Sequence, residues 1–406
     1  MNAFLAELSR FDEVLDFTTS IMLLLLWPIQ AQETSNASED HVSVTERFST
    51  TAETKYLTKL ALKGFRPEAQ GLLIESIDGS TIYADHQSNI AFNPASVIKL
   101  ATSFTALQKF GPDYQFETAF YAAGDIDKKT HTLKGDLILQ ATGDPVLTTA
   151  DVNKLVRDAI RAGIKRVNGN LVVCGPFTYA SYSKTADGTK HLASVVKKMG
   201  IRVSGTTSFR AVSGLGMRGN MLSSHSSAYL REILFRQNAH SVNLTAERVG
   251  EAVGGPKGVE AFLTGSVGIP QAEISISRTS GLDYNRITPR STVHLLQAMM
   301  QWLSQRNMEP EDIMPVAGID AGTLQSRFKS ADYRGAVVGK TGTLPSTDGG
   351  VSTLAGILYT RDRGPILFAI FNTRGSVKAY RQLQDSLLQE LIEESGGPQP
   401  IRRASN

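Results

Sequence analysis

Residues 93–107 admit few structures. Leu100, Phe104 and Leu107 recur at spacings of four and three, as on one buried helical face. Pro94 stands just upstream, where a helix begins readily because the amide that proline lacks needs no partner there. The helix therefore opens directly after Asn93-Pro94-Ala95-Ser96 and carries Lys99 near its start. Residues three apart share a helix face, so the Lys99 amine can lie beside the Ser96 hydroxyl. The helix N-terminus also favours negative charge developing on that oxygen. A hydroxyl is a weak nucleophile and needs a partner that takes its proton. Lysine can do so only where burial or a nearby cation lowers its pKa. A fold that uses this pair gains from a second cation near Lys99.

The S-x-x-K spacing is common and by itself marks a solvated helix face. Ser181, Ser194 and Ser326 are each also followed three residues later by lysine. The first two lie in or near a Ser/Lys/Gly-rich stretch and the third in a charged segment. Only Ser96 opens a long apolar helix. Further along stand Ser241-Val242-Asn243 and Lys340-Thr341-Gly342, the latter opening a strand-rich region. S-x-x-K, S-x-N and K-T-G in this order form the signature of penicillin-binding proteins and serine β-lactamases.

Around these motifs the chain reads as two interleaved units. Gly71–Ile77 and Ser80–Ala84 flank Asp78-Gly79, a hairpin signal. From Tyr114 short strand-like runs and helical stretches alternate (115–121, 133–140, 169–173; helices 150–162 and 193–199), and the first unit resumes near Ser224–Leu230. Helices then fall near 230–236, 243–253, 258–263 and 293–303. A second hairpin (351–359, 365–371) and a closing amphipathic helix (382–394) complete the chain. The expected class is α/β (α+β): a central antiparallel sheet flanked by helices, with a smaller α/β domain inserted. The domain boundaries are 56–113 with 220–395 for the first unit and 114–219 for the insert. Residues 32–55 read as a flexible lead-in and 396–406 as a loose tail.

The match is specific enough to name a family. Asn93–Lys99, Gly135-Asp136-Leu137, Gly143-Asp144-Pro145, Gly163–Gly169, Ser241–Glu247, Ser280-Gly281-Leu282, Pro315–Gly318 and Lys340–Leu344 resemble the class C low-molecular-mass penicillin-binding proteins, the D-Ala-D-Ala carboxypeptidase/endopeptidase group. The fold implied is a β-lactamase/transpeptidase-like domain. By the same resemblance Ser96 is the nucleophile and Lys99 its base. Ser241 relays a proton to the leaving amine with Lys340, while Asn243 holds a substrate amide and helps fix Lys99. Lys340 and Thr341 meet the peptide carboxylate, next to Gly342. The backbone amides of Ser96 and Thr343 form the oxyanion hole. Peptidoglycan stem peptides are the implied substrates and β-lactams the covalent inhibitors; no cofactor and no metal are implied.

Departures from the family pattern are informative. Val242 replaces an acidic residue common within S-x-N. Cys174 and Tyr284 stand where many relatives place the acidic and basic groups that grip diaminopimelate, which argues against a standard pocket of that kind. The 175–190 segment is short where relatives carry a further small domain. As a lone cysteine at a strand end, Cys174 reads as a small buried hydrophobe.

Composition excludes other classes. A formal net charge of +3, with basic residues scattered along the chain, gives nucleic acid no surface. A single cysteine rules out an internal disulfide, and none of the seven histidines forms an H-x-x-x-H zinc pair. The apolar run Ile21–Trp27 is shorter than the roughly 20 residues needed to cross a bilayer. Residues 1–31 read as a signal peptide, although Glu7, Asp12, Glu13 and Asp16 outweigh Arg10 ahead of the run. The expectation is an exported, periplasmic protein with at most peripheral membrane association. A β-lactamase would need to hydrolyse its acyl-enzyme quickly, and no E-x-x-L-N glutamate lies between Ser241 and Lys340. A weak wall-binding protein that keeps the fold has no need of the full motif set.

Overall fold

The computed structural model describes residues 46–47, 50–211 and 219–403. Strand β1 (Glu46–Arg47) and helix α1 (Thr51–Leu62) precede the hairpin of β2 (Gln70–Ser76) and β3 (Thr81–His86). Its Asp78-Gly79 turn uses Gly79 at φ +70°, a backbone angle that costs glycine little. Helix α2 (Lys99–Phe110) follows. The chain then builds β4 (Glu117–Asp127), β5 (Thr132–Ala141), α3 (Thr149–Arg161), β6 (Arg166–Val167), β7 (Leu171–Cys174), α4 (Thr185–Lys198), β8 (Arg202–Val203), β9 (Thr207–Arg210) and β10 (Asn220–Ser226). Helices α5 (Leu230–His240), α6 (Asn243–Ala252) and α7 (Gly255–Phe262) come next, then β11 (Ile274–Ser275), β12 (Arg286–Ile287) and α8 (Pro289–Ser304). Strands β13 (Val337–Leu344), β14 (Val351–Thr360) and β15 (Gly364–Asn372) lead to α9 (Val377–Glu394).

The N- and C-terminal strands share one six-stranded sheet, ordered β1-β3-β2-β15-β14-β13. Its strands from β3 to β13 are antiparallel, with Ile74 opposite Phe368 where the two ends of the chain meet. The sheet is covered on both faces, so β14 and β15 read as nearly continuous apolar runs, and the two-residue period of a strand sorts their side chains. Leu72, Ile74, Leu354, Phe368 and Ile370 pack with Tyr56 and Leu60 of α1 and Leu387 and Leu391 of α9. Leu73, Ala355, Ile357, Leu367 and Phe371 point the other way, into a core with Leu100, Phe104 and Leu107 of α2 and Val293, Leu296 and Met299 of α8. Each large apolar side chain buried in this way contributes roughly 1.5–3 kcal/mol relative to exposure. Helix α2 is thus held at mid-molecule by the spacing that the sequence shows.

Between α2 and α5 a second sheet runs β10-β4-β5-β6-β8, with β7 beside β5 and β9 beside β7. Its core unites Phe120, Leu137 and Leu139 with Val152 and Leu155 of α3 and Leu192 and Val196 of α4. The mixed α/β class with an inserted unit is what the molecule displays.

Some expected boundaries shift. Strand β10 pairs with β4, so the inserted sheet runs to Ser226, past the expected end at 219. Helix α1 begins at Thr51, inside the expected 32–55 lead-in, and the Thr50 hydroxyl caps it by accepting the Glu53 amide at 3.3 Å. Only Ala52, Tyr56 and Leu60 mark its buried stripe among polar neighbours, a thin signal in the sequence. Helix α4 starts at Thr185 rather than near 193; its polar, glycine-containing first turn packs Gly188 against Phe177, whose carbonyl lies 3.0 Å from where a Cβ would stand. The tail is tied down through residue 403: Ile401 N donates to Gly335 O at 2.9 Å, and Arg403 pairs with Asp320 at 2.8 Å. The expected signal segment lies outside the described residues. Among the described residues no helix is long and apolar enough to cross a membrane.

Candidate active site

Ser96 lies in a 3-10 turn, Ala95–Ile98, that runs straight into α2. The turn is strained and braced. Ala95 sits at φ +46°, a region that residues with a Cβ seldom occupy. The Asn93 side chain holds it there: Oδ1 accepts the Ala95 amide at 3.0 Å, and Nδ2 donates to Asp283 O and Asp348 Oδ2, both at 2.9 Å. Asp348 is itself paired with Arg286 at 3.0 Å. Thr353 Oγ1 donates to Pro94 O at 2.7 Å, which ties the turn to β14.

One turn into the structure, Lys99 is fully buried. Its Nζ donates to Ser96 Oγ at 2.9 Å, to Asn243 Oδ1 at 2.8 Å and to the Ser280 carbonyl. Asn243 is the first residue of α6. Ser241 ends α5 in a left-handed conformation, φ +55°, and this sharp reversal between α5 and α6 sets the two side chains toward different lysines. Ser241 Oγ accepts from Lys340 Nζ at 3.0 Å. Lys340, also fully buried, comes from β13 at the edge of the six-stranded sheet. Beside it, Thr341 Oγ1 donates to Thr323 Oγ1 at 2.8 Å, and Thr343 Oγ1 accepts from Arg381 at 2.9 Å. Gly342 has no room for a side chain, because a Cβ there would stand 2.1 Å from Thr353 Oγ1 and 2.6 Å from Pro94 O. Its absence lets β13 lie against the Ser96 turn.

The structure therefore gathers two hydrogen-bonded groups, Ser96–Lys99–Asn243 and Ser241–Lys340, close enough for the two lysines to repel each other, with Thr341, Gly342 and Thr343 along the edge. The electrostatics suit base chemistry. Burial pulls the Lys99 amine down to about 7, offset in part by the Glu247 carboxylate. Burial and repulsion from Lys99 push Lys340 well below the ordinary lysine value as well. Lys340 is the second lysine beside Lys99, but it is burial, rather than a neighbouring cation, that lowers Lys99.

Other participants were not legible as motif positions. The Ser280 carbonyl receives both Lys99 and, at 3.4 Å, Ser96 Oγ. Thr323 fixes the Thr341 hydroxyl, and Glu247 sits behind the 278–280 turn. The stretches Ser280-Gly281-Leu282 and Ser241–Glu247 were visible as family-like runs, but a carbonyl acceptor leaves no side-chain signal. Cys174 is buried at the end of β7, and burial raises its thiol pKa; Tyr284 is exposed. Val242 turns its side chain into a cavity of about 680 Å³ shared by the two units, beside Val146, Ile233 and Leu244. Among the described residues no group of His, Cys, Asp and Glu side chains is arranged to hold a metal.

Comparison with known proteins identifies a family. The model of the D-Ala-D-Ala carboxypeptidase 3 (S13) family matches residues 55–175 and 175–391. A D-alanyl-D-alanine carboxypeptidase DacB of Haemophilus influenzae is 34% identical over 103 residues, covering 25% of this chain and 21% of that protein. A D-alanyl-D-alanine carboxypeptidase of Actinomadura sp. (strain R39) is 29% identical over 221 residues, 50% of this chain and 39% of that one. The matched stretches thus span well under half of these curated relatives. In three dimensions, penicillin binding protein 4 (dacB) from H. influenzae superposes with a TM-score of 0.68 at 19% identity, covering 85% of this chain and 99% of its own. A predatory peptidoglycan endopeptidase from Bdellovibrio bacteriovorus gives 0.66 at 21% identity, covering 83% and 95%. The likeness to these structures shows the shared fold, and the family model covers most of the folded chain. The chain belongs to the D-Ala-D-Ala carboxypeptidase 3 (S13) family.

Proposed function

We propose that this protein is a serine-type D-Ala-D-Ala carboxypeptidase/endopeptidase acting on peptidoglycan stem peptides through an acyl-enzyme on Ser96. One observation carries the reading: a fully buried lysine, its pKa pulled down to about 7, stands 2.9 Å from a serine hydroxyl.

The chemistry follows from the geometry. Lys99, neutral, takes the Ser96 proton as Oγ attacks the carbonyl carbon of the penultimate D-alanine. The backbone amides of Ser96 and Thr343 receive the oxyanion. The C–N bond breaks as the leaving amine takes the Ser241 hydroxyl proton, which is replaced from Lys340, hydrogen-bonded to Ser241, and in turn from the Lys99 ammonium, so that Lys99 is neutral again. Water then attacks the ester with Lys99 again as base. The 315–317 segment pairs with β13 only as far as Gly339, and the edge beyond it lets an extended peptide add as a further strand. Lys340, Thr341 and Thr343 stand beside that edge to meet the terminal carboxylate.

Penicillins present the same carbonyl to Ser96, and a B. bacteriovorus endopeptidase of the same fold has been obtained acylated by penicillin G. Here penicillin is expected to form a long-lived adduct, since no glutamate of the β-lactamase kind follows the S-x-N motif. Export to the periplasm belongs to this reading, supported by the apolar run Ile21–Trp27.

Labelling with a fluorescent penicillin tests the proposal. Mass spectrometry of wild type should place the adduct on Ser96, Ser96→Ala should take up none, and wild type should release D-alanine from stem pentapeptides. Folded wild-type protein that neither labels nor releases D-alanine would leave only a wall-binding role.

A further inference from the structure

Lys99 touches no carboxylate directly, yet one stands close behind its carbonyl partner. Glu247 lies one helical turn after Asn243 on α6, so the two side chains share a face. Asn243 Oδ1 accepts from Lys99 itself. The Glu247 carboxylate grips the chain on the far side of Lys99: Oε1 accepts Arg278 Nε at 3.1 Å and the Ser280 amide at 3.3 Å, while Oε2 accepts Thr279 Oγ1 at 3.2 Å. Thr279 is locked further, since Oγ1 also lies 3.1 Å from Ala246 O and its own carbonyl accepts from Thr102 Oγ1 of α2 at 2.8 Å. Gly250 of α6 gives this turn its room, because a Cβ there would lie 2.2 Å from Thr279 Oγ1. The carbonyl that follows, that of Ser280, receives Lys99 Nζ and Ser96 Oγ.

We propose that Glu247 is a positioning residue for acylation: its carboxylate clamps the Arg278–Ser280 turn onto α6 and so holds the Lys99 amine on Ser96. This rests on the peptidase reading of the site. One helix then governs two sides of the lysine, directly through Asn243 and indirectly through Glu247.

The carboxylate has an electrostatic consequence too. The charged groups facing Lys99 are Lys340 from β13 and Glu247 from α6, with Arg278 paired behind Glu247. Burial favours the neutral amine, whereas Glu247 favours the protonated one. Glu247 therefore sets a limit on how far Lys99 is deprotonated. Its removal shifts the base toward the neutral, reactive form even as it loosens the geometry. A purely structural residue would lower the rate without moving the pH profile.

Glu247→Gln separates the effects, since it keeps the size, removes the charge and presents an amide N–H to groups that are themselves donors. Acylation of the full chain by a fluorescent penicillin should be measured across the neutral pH range for wild type, Glu247→Gln and Glu247→Asp. In Glu247→Gln the acid limb should move to lower pH while the plateau falls by about 10²-fold, the scale of a misplaced reacting group. Glu247→Asp should return the acid limb to its wild-type position. A Gln variant that keeps the wild-type plateau, or one whose acid limb coincides with that of wild type, would overturn the proposal. The titration of Lys99, followed by NMR on protein carrying 13C-labelled lysine and assigned with Lys99→Met, makes the same comparison without acylation. Should wild type take up no penicillin, the peptidase reading fails, while an unmoved Lys99 titration in Glu247→Gln would sink the present inference separately.

Discussion

Replacing Lys99 by methionine should slow acylation of Ser96 by about 10²–10⁴-fold, the usual contribution of one positioned base. Methionine keeps the length and apolar character of the stem, which is buried within α2, and removes only the amine that contacts Ser96, Asn243 and Ser280. The pH dependence makes the prediction sharper. The neutral amine is the base, and its pKa has been brought from the ordinary lysine range down to about 7. In wild type the acylation rate should therefore rise with pH through about 7 and be lost below it. In Lys99→Met that limb should disappear, leaving a low rate without it. The measurement is the second-order rate constant for a fluorescent penicillin across the neutral range. A methionine variant with a near-wild-type rate and the same acid limb would show that another group takes the proton.

Gly281→Ala should be nearly as damaging, although residue 281 carries no functional group. Gly281 sits at φ +87°, and a Cβ built there would lie 2.0 Å from Ala95 O and 2.8 Å from Ser96 N. The methyl group collides with the peptide bond that delivers the nucleophile and the amide proposed to bind the oxyanion. The backbone angle alone costs an L-residue about 1–2 kcal/mol. Displacement of that amide should lower turnover by about 10²–10³-fold, as the loss of one oxyanion donor does. Thermal melting and D-alanine release, measured on the same preparation, distinguish the two effects. Full activity in a stable Gly281→Ala protein would mean that the 280–282 turn can retreat without moving Ser96.

The contrast between these sites shows what a linear reading captures. Ser96, Lys99, Ser241, Asn243 and Lys340 were identifiable because each is a side chain in a short motif, and the motifs stand in a telling order. Helix α2 was identifiable because Leu100, Phe104 and Leu107 repeat at helical spacing, and the β14–β15 hairpin because its apolar runs are broken by charged turn residues. Helix α1 was hidden: the Ala52, Tyr56 and Leu60 stripe is narrow, and Glu53, Lys55 and Lys59 dilute it. The ordered tail was missed because main-chain bonds from Ile401 and an ion pair from Arg403 hold it, and neither has a compositional mark. The Ser280 carbonyl went unseen for the same reason.

Periodicity, turn residues and motif order are properties of the linear chain, and they sufficed to place most of the elements and choose the family. The state of Lys99 is not local. Its low proton affinity comes from burial between α2, α6 and the 279–281 turn, and the second lysine it faces arrives on an edge strand far along the chain. Such distances and desolvation exist only once distant segments pack together, so the sequence by itself determined which groups could react. Their protonation, their mutual reach and the carboxylate that restrains them were decided by the tertiary structure.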